Sequence, residues 1–162
     1  MRETSNELLD GRGDCLECAK TLISMAKQQV YIIGQDLEAD LYNHKSIYDH
    51  LTELTTKNRK TDIRLIAHDT RAATNNGHYL ILLAQKLPTF ASIRITASPE
   101  HKNFRESWLI VDDMAFMRLK NPNQYEGYFA IDGKLECRAL TDDFNDIWEA
   151  SQPDQNTRRL SL

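Results

Sequence analysis

The sequence is poor in the residues from which several kinds of functional site are built. It has three cysteines and six glycines among its 162 residues. So few cysteines, and an odd number of them, exclude a disulfide scaffold and predict a reducing, cytoplasmic location. The scarcity of glycine argues against a glycine-rich phosphate loop, and no Walker-type loop, G-x-G-x-x-G or G-x-S-x-G motif is present.

Long apolar runs and an excess of positive charge are missing as well. No run approaches the roughly 18 apolar residues of a membrane-spanning helix, and residues 1–7 lack the apolar core of a signal peptide. Lys and Arg number 20 against 24 Asp and Glu, which gives a net charge of -4. This balance excludes a globally basic nucleic-acid binder but not a local basic patch. The length and the 41% of hydrophobic residues are typical of one globular domain.

Hydrophobic periodicity predicts alternating helices and strands. Apolar residues three or four apart predict helices over 14–27, 46–58 and 79–87. Alternating or continuous apolar runs predict strands over 30–33, 62–67, 92–97, 108–111, 114–119 and 127–131. The dipeptide Asp132-Gly133 predicts a hairpin turn into a strand over 135–140, after which Thr141 would cap a last helix. We therefore expect an α/β fold, a mixed β-sheet flanked by helices on both faces.

The pattern also predicts where the domain begins and ends. Residues 1–13 hold two glycines and many polar residues, and residues 152–162 hold a proline and only two apolar residues. We expect both segments to be flexible or to dock on a partner, with the folded domain spanning residues 14–151.

Cysteine and histidine are the residue types that often build metal or redox sites. Cys15 and Cys18 form a C-x-x-C pair, but zinc needs four ligands and Cys137 stands alone. We interpret the pair as part of the apolar stripe of the first helix, and we expect no metal and no cofactor. None of the five histidines has metal-ligand spacing. His78, at the start of a helix, is either a ligand-binding residue of a cleft or a capping or core histidine.

The most informative segment runs from Arg105 to Asp113. Arg105 and Ser107 lie two apart on the entry to a strand, a continuous apolar run follows, and Asp112-Asp113 closes it. With the preceding α/β order and the closing helix, this resembles the phospholipase D-like superfamily. There, a strand carries His-x-Lys, four mostly apolar residues and then Asp. The His attacks a phosphodiester phosphorus, the Lys holds its oxygens, and two such motifs make one site.

On that pattern Asp112 matches the Asp, whereas Arg105 and Ser107 stand where the His and the Lys would be. The sequence also resembles a bacterial family of degenerate, uncharacterised phospholipase D-like domains, which occur alone or appended to acetyltransferase-like domains. The residues that carry this second resemblance are Gly77-His78, Leu87-Pro88, Ile93-Arg94, Glu126-Gly127 and Phe144…Trp148. Arginine stays protonated at neutral pH and is no phosphoryl nucleophile, so the departures predict loss of the family's mechanism.

An arginine still holds a phosphate or carboxylate with two hydrogen bonds. We therefore predict a ligand site for an anion, formed by Arg105 with Arg118 and Arg94, with the alternative that Arg105 is paired internally with Glu106, Asp112 or Glu126. The candidate ligand-binding residues are Arg105, Ser107, Asp112, Arg118, Glu126, His78 and Arg94.

Three functions remain open at this point. The first is a catalytically inactive phospholipase D-like binding or assembly module, whose resemblance to single-repeat members implies a homodimer and whose partner is a phosphate-bearing ligand or a protein. The second is a phosphodiesterase or nuclease with a non-standard site that uses His78, His101 or His68 with Arg105. The third is a nucleic-acid-binding module, which the acidic net charge does not favour. A membrane partner is not expected.

Overall fold

In a computed structural model the chain forms one eight-stranded sheet covered by helices, and the structure describes residues 6–159. The strands are β1 (Glu7–Asp10), β2 (Gln29–Gly34), β3 (Asp62–Ala67), β4 (Ala91–Ile95), β5 (Ser107–Val111), β6 (Ala115–Asn121), β7 (Glu126–Ala130) and β8 (Gln152–Pro153). The helices are α1 (Arg12–Met25), α2 (Ala39–Tyr42), α3 (Lys45–Lys57), α4 (Arg71–Asn75), α5 (Tyr79–Lys86), α6 (Pro99–Lys102), α7 (Lys134–Glu149) and α8 (Gln155–Arg159).

The sheet is mixed, with the strand order β1-β7-β6-β5-β2-β3-β4-β8. Strands β2, β3 and β4 run parallel because helices connect them, whereas β5, β6 and β7 follow one another through short connections and run antiparallel. Since β5 is antiparallel to β2, its amino end lies beside the carboxyl ends of β2, β3 and β4. We call this end of the sheet the strand-end pole. Its residues are Gln35, Glu38, His68, Thr96, Arg105 and Ser107.

Both faces of the sheet are buried, which explains the apolar runs. Along β2, Val30 and Ile32 pack in the cluster under α1, α3 and α5, while Tyr31 and Ile33 pack under α7. The α7 face is rich in aromatic side chains, with Tyr31 and Phe144 stacked at a centroid distance of 4.8 Å. The predicted α/β class, a mixed sheet with helices on both faces, is confirmed.

The predicted hairpin at Asp132-Gly133 is wrong. Gly133 precedes α7 with φ -124, not the positive φ that a tight hairpin turn needs, and residues 135–140 are helical. Thr141 is therefore no cap: it lies buried within α7 and donates a hydrogen bond to the carbonyl of Cys137 at 2.8 Å. The helical spacing of Cys137, Leu140, Thr141, Phe144 and Ile147 continues without a break and outweighs the local turn signal.

The sheet also extends beyond the predicted limits of 14 and 151. β1 pairs with β7, and β8 pairs with β4, so parts of the two segments expected to be flexible belong to the sheet. Asp154 is buried and accepts a hydrogen bond from Thr70 Oγ1 at 2.8 Å. Residues 1–5 and 160–162 of those segments lie outside the described residues. Within residues 6–159, no helix has the length and apolarity needed to cross a bilayer.

Candidate functional site

The strand-end pole is held together by a hydrogen-bonded histidine. His68 follows β3, and its Nδ1 lies 2.7 Å from Thr96 Oγ1 while its Nε2 lies 2.8 Å from the carbonyl oxygen of Phe104. Because a carbonyl only accepts, Nε2 carries the proton and Nδ1 accepts from the threonine hydroxyl. Burial lowers the pKa of His68, which favours this neutral form. Both ring nitrogens are thus engaged, and neither offers a lone pair for attack on phosphorus.

Glu38 turns its carboxyl group inward at the end of β2. Its Oε1 accepts the backbone N–H of Gln35 at 2.8 Å, whereas its Oε2 is buried and has no hydrogen-bond partner. The carboxylate packs against Gly34, where a Cβ would lie 1.8 Å from Oε2, so a side chain at position 34 would displace the Glu38 carboxylate. Burial raises the pKa of Glu38 from 4.5 to about 7, which makes it the most perturbed carboxyl of the pole.

The two residues that stand in place of His-x-Lys have different environments. Arg105 lies just before β5, is exposed, and donates Nη1 to the carbonyl of Lys102 at 2.7 Å and to Gln35 Oε1 at 3.4 Å. Ser107, the first residue of β5, is fully buried. Of the pair, Arg105 alone is accessible to a ligand.

The charge of Arg105 is not neutralised by a neighbouring acid in the part of the chain that the structure describes. Its partners are carbonyl and amide oxygens, and no carboxylate lies within ion-pair distance. The predicted internal network of Arg105 with Glu106, Asp112 or Glu126 is therefore not formed. Gln35, which accepts from Arg105, also lines a polar cavity of about 360 Å³ together with Asp36 and Asp40, although Arg105 itself is not part of that lining.

The predicted cluster of three arginines is not formed either. Arg118 on β6 and Arg94 on β4 lie at the two ends of one row of paired residues that crosses β5, β2 and β3. Four strand spacings separate them, roughly 19 Å. Both instead hold α7: Arg118 pairs with Glu136 in its first turn at 3.4 Å, and Arg94 donates to the carbonyl of Trp148 at 2.7 Å. These two arginines have structural partners, and Arg118 forms ion pairs with Glu106 and Glu136.

Replacing Arg118 with alanine is expected to lower the free energy of unfolding by about 2 kcal/mol. The change removes a 2.7 Å charge-assisted bond to Glu106 and leaves that partly buried carboxylate without its cation. Urea unfolding followed by circular dichroism measures the loss. Arg138→Ala is the matched control, because Arg138 is mostly exposed and lies 3.9 Å from Asp113, so its loss should stay below about 0.5 kcal/mol. Equal losses for the two variants would contradict the assignment.

The remaining predicted residues are dispersed. Asp112 lies at the opposite end of β5 from the pole, where it binds backbone N–H groups of residues 27–29. His78 is buried: its Nδ1 accepts the N–H of Leu80 and its Nε2 donates to the carbonyl of Leu37 at 2.8 Å, so it is a capping histidine. Glu126 is exposed at the start of β7, in register with Asp10 of β1.

The C-x-x-C pair lies in the core, as its interpretation as an apolar stripe requires. Cys15 and Cys18 are buried free thiols on α1. Burial raises the pKa of Cys15 to about 11 and that of Cys18 to about 12, so neither is a thiolate at neutral pH. Among residues 6–159, no three His, Cys, Asp or Glu side chains are placed to hold a metal ion.

Sequence reasoning missed Gln35 and Glu38 as site residues. One signal for them was present: both lie in the loop after a strand of a parallel set, and such loops carry ligand sites in α/β sheets. Nothing in the sequence showed that Glu38 turns inward, since its neighbours Gly34 and Gln35 look like ordinary loop residues.

Solved structures with this topology place the chain in a known fold. NucT from Helicobacter pylori matches with a TM-score of 0.62 at 14% identity, covering 93% of this chain and 99% of NucT. Nuc from Salmonella typhimurium, a phospholipase D family member, matches with a TM-score of 0.61 at 12% identity, covering 93% and 99%. The archaeal chromatin protein TrmBL2 matches with a TM-score of 0.67 at 13% identity; 93% of this chain is covered, and it spans 54% of TrmBL2.

The chain therefore has the phospholipase D-like fold, as its resemblance predicted. Within that class, it belongs to the family described as "Domain of unknown function (DUF7931)", whose sequence model matches residues 11–160. No curated protein sequence matches the chain.

Proposed function

We propose that this protein is a binding module built on the phospholipase D-like fold, without phosphoryl-transfer chemistry, and that Arg105 contacts a phosphate-bearing ligand. One observation carries the proposal: the residue in place of the family's histidine is an exposed arginine whose charge has no carboxylate partner in the described residues. A guanidinium of this kind binds phosphate with two parallel hydrogen bonds but does not attack it.

Loss of catalysis is supported by the other groups at the pole. Ser107 is fully buried, and both nitrogens of His68 are engaged in hydrogen bonds, so neither serves as a nucleophile. His78 is equally engaged in the core. The phosphodiesterase alternative would depend on His101, which lies among Glu100, Asp143 and Asp146, carboxylates that repel a phosphodiester.

The environment of Arg105 favours one phosphate group over a nucleic-acid strand. Asp36 and Asp40 line the neighbouring cavity and repel a second phosphate. Arg94 and Arg118 are held by α7 contacts and Glu106, and Arg71 is paired with Asp69, so they build no continuous basic track. TrmBL2 is a chromatin protein with a novel mode of DNA binding, which makes DNA the necessary competitor in any test.

Arg105→Ala is expected to weaken binding of a phosphate monoester, while the wild-type protein does not hydrolyse a phosphodiester. Phenyl phosphate, titrated by NMR in divalent-free buffer, should shift signals of Gln35 and Arg105 in the wild type, with a Kd that rises at least about fivefold in the variant. Bis-p-nitrophenyl phosphate should remain intact.

Arg59→Ala serves as the matched control, because Arg59 is an exposed arginine just before β3, at the opposite end of that strand from the pole. Turnover of the diester that disappears in Arg105→Ala would establish the enzyme instead. Tighter, steeply salt-dependent binding of single-stranded DNA than of phenyl phosphate would establish the nucleic-acid module.

The proposal extends to a homodimer and to a cytoplasmic location. The resemblance to single-repeat members of the superfamily supports a homodimer, whose mass analytical ultracentrifugation measures directly. The free thiols Cys15, Cys18 and Cys137 are compatible with a reducing cytoplasm.

A further inference from the structure

A second cavity, of about 360 Å³, lies between α7 and the segment formed by α6, the start of β5 and the loop that connects them. Its lining does not include Arg105, although it includes Phe104, whose carbonyl accepts a hydrogen bond from Arg105. Six of its residues matter here: Glu100, His101, Phe104, Trp108, Asp143 and Asp146.

The floor of this cavity is aromatic. Phe104 and Trp108 meet edge to face with ring centroids 5.0 Å apart, and Ile147 of α7 completes the apolar surface. The indole N–H of Trp108 is donated to Glu106 at 2.9 Å, and the Arg118 guanidinium lies over the indole ring, 5.7 Å from its centroid. Trp108 therefore adds apolar surface and no free polar hydrogen. Such a floor suits the apolar body of a ligand.

The rim is acidic and not neutralised. Asp143 and Asp146 lie three residues apart on α7 and therefore share one side of the helix, and Glu100 of α6 lies across the cavity. In the part of the chain that the structure describes, no ion pair or side-chain hydrogen bond involves any of these three carboxylates. His101 adds a buried Nδ1 that has no hydrogen-bond partner in the wall of the cavity.

We propose that this cavity binds an organic cation, an ammonium or guanidinium group carried on an apolar chain or ring. The aromatic floor receives the apolar part, and Asp143 and Asp146 with Glu100 receive the charge. The inference goes beyond the phosphate module: the ligand has the opposite charge, and that charge is bound by Asp143, Asp146 and Glu100 and not by Arg105.

The test uses 2-phenylethylammonium as the probe and 2-phenylethanol as its neutral counterpart. The amine should shift the indole N–H signal of Trp108 in ¹H–¹⁵N NMR spectra more than that of Trp148, with a Kd on the order of 1 mM. The alcohol should bind at least about tenfold more weakly. Asp143→Asn and Asp146→Asn should each raise the Kd of the amine about two- to fivefold.

Asp142→Asn provides the matched control, since it removes the same charge from an exposed neighbour that does not line the cavity. Equal binding of amine and alcohol, an equal effect of Asp142→Asn, or an unshifted Trp108 signal would each overturn the proposal. A second arm uses N-acetyl-lysine methylamide: tighter binding than the free amine identifies a protein side chain as the natural cation, and weaker binding identifies a small molecule. Phenyl phosphate binding, which is proposed to depend on Arg105, should be unaffected by these variants. Its outcome therefore tests the phosphate site independently of the cation site.

Discussion

Replacing Glu38 with glutamine is expected to raise the free energy of unfolding at pH 8 by about 3 kcal/mol and to leave it almost unchanged at pH 4. Burial raises the pKa of Glu38 from 4.5 to about 7 in the folded protein. The gap between the folded and unfolded pKa corresponds to about 1.4 kcal/mol per pH unit. Urea unfolding at a series of pH values, followed by circular dichroism, measures the difference between the two proteins.

The sign of this effect follows from the proton balance. Below pH 4.5 the carboxyl is protonated in both states, so Glu38 and glutamine behave alike. Between pH 4.5 and about 7 the folded state keeps a proton that the unfolded state has released, and the wild type loses stability as pH rises. Above pH 7 the carboxylate is charged and buried beside Gly34, and the loss is complete. Glutamine carries no charge at any of these values.

Asp36→Asn is the control for this prediction. Asp36 lies in the same loop two residues earlier, but it is exposed, so its replacement should change stability by less than about 0.5 kcal/mol. A difference between wild type and Glu38→Gln that stays constant from pH 4 to pH 8 would show that the pKa of Glu38 is the same in the folded and unfolded protein, and would contradict its buried placement.

Glu38 also links stability to the proposed site. Gln35 donates its backbone N–H to Glu38 and accepts from Arg105 through its side chain. Ionisation of Glu38 therefore places a negative charge on the loop whose Gln35 side chain contacts the Arg105 guanidinium. The pole combines an accessible arginine with an acid that is neutral in mildly acidic solution.

The fold was largely predictable because its signals are local. The apolar run 108–111 predicted a buried strand and the alternation in 62–67 predicted another, and both strands are present. The prediction failed at residues 132–141, where a two-residue turn signal was given more weight than a helical spacing that runs from Cys137 to Trp148. Core packing of that longer pattern decides the structure, because it buries the apolar face of α7.

The site was less predictable, because its contacts join distant parts of the chain. Arg118 finds Glu106 twelve residues away and Glu136 eighteen residues away, so its charge is internal although its sequence neighbours suggest a free arginine. Arg94 meets the carbonyl of Trp148, 54 residues further along. A count of arginines therefore overestimated the positive surface. Only the contacts in the folded structure distinguish Arg105, which has no carboxylate partner among the described residues, from Arg118, which has two.

The largest loss of stability is expected from Asp112→Ala, about 3 kcal/mol. The Asp112 carboxylate accepts three backbone N–H groups, those of Lys27 at 2.7 Å, Gln28 at 2.9 Å and Gln29 at 2.8 Å. These bonds fix the start of β2 against the end of β5, and hydrogen bonds to a charged acceptor are worth more than neutral ones. Asp112→Asn keeps one acceptor oxygen and should lose about half as much. Urea unfolding measures all three proteins.

Asp113→Ala is the control that distinguishes the loss of hydrogen bonds to a carboxylate from the strain of a left-handed backbone. Both aspartates have a φ of 56, a left-handed conformation that costs alanine more than aspartate, so the strain of the substitution is shared by the two variants. Among the residues that the structure describes, Asp113 accepts no backbone N–H: its Oδ1 is buried without a hydrogen-bond partner, and its Oδ2 lies 3.9 Å from Arg138. Its loss should be about 1 kcal/mol. If Asp113→Ala were as costly as Asp112→Ala, backbone strain would account for both losses, and the aspartate that matches the family motif would have no role in holding β2.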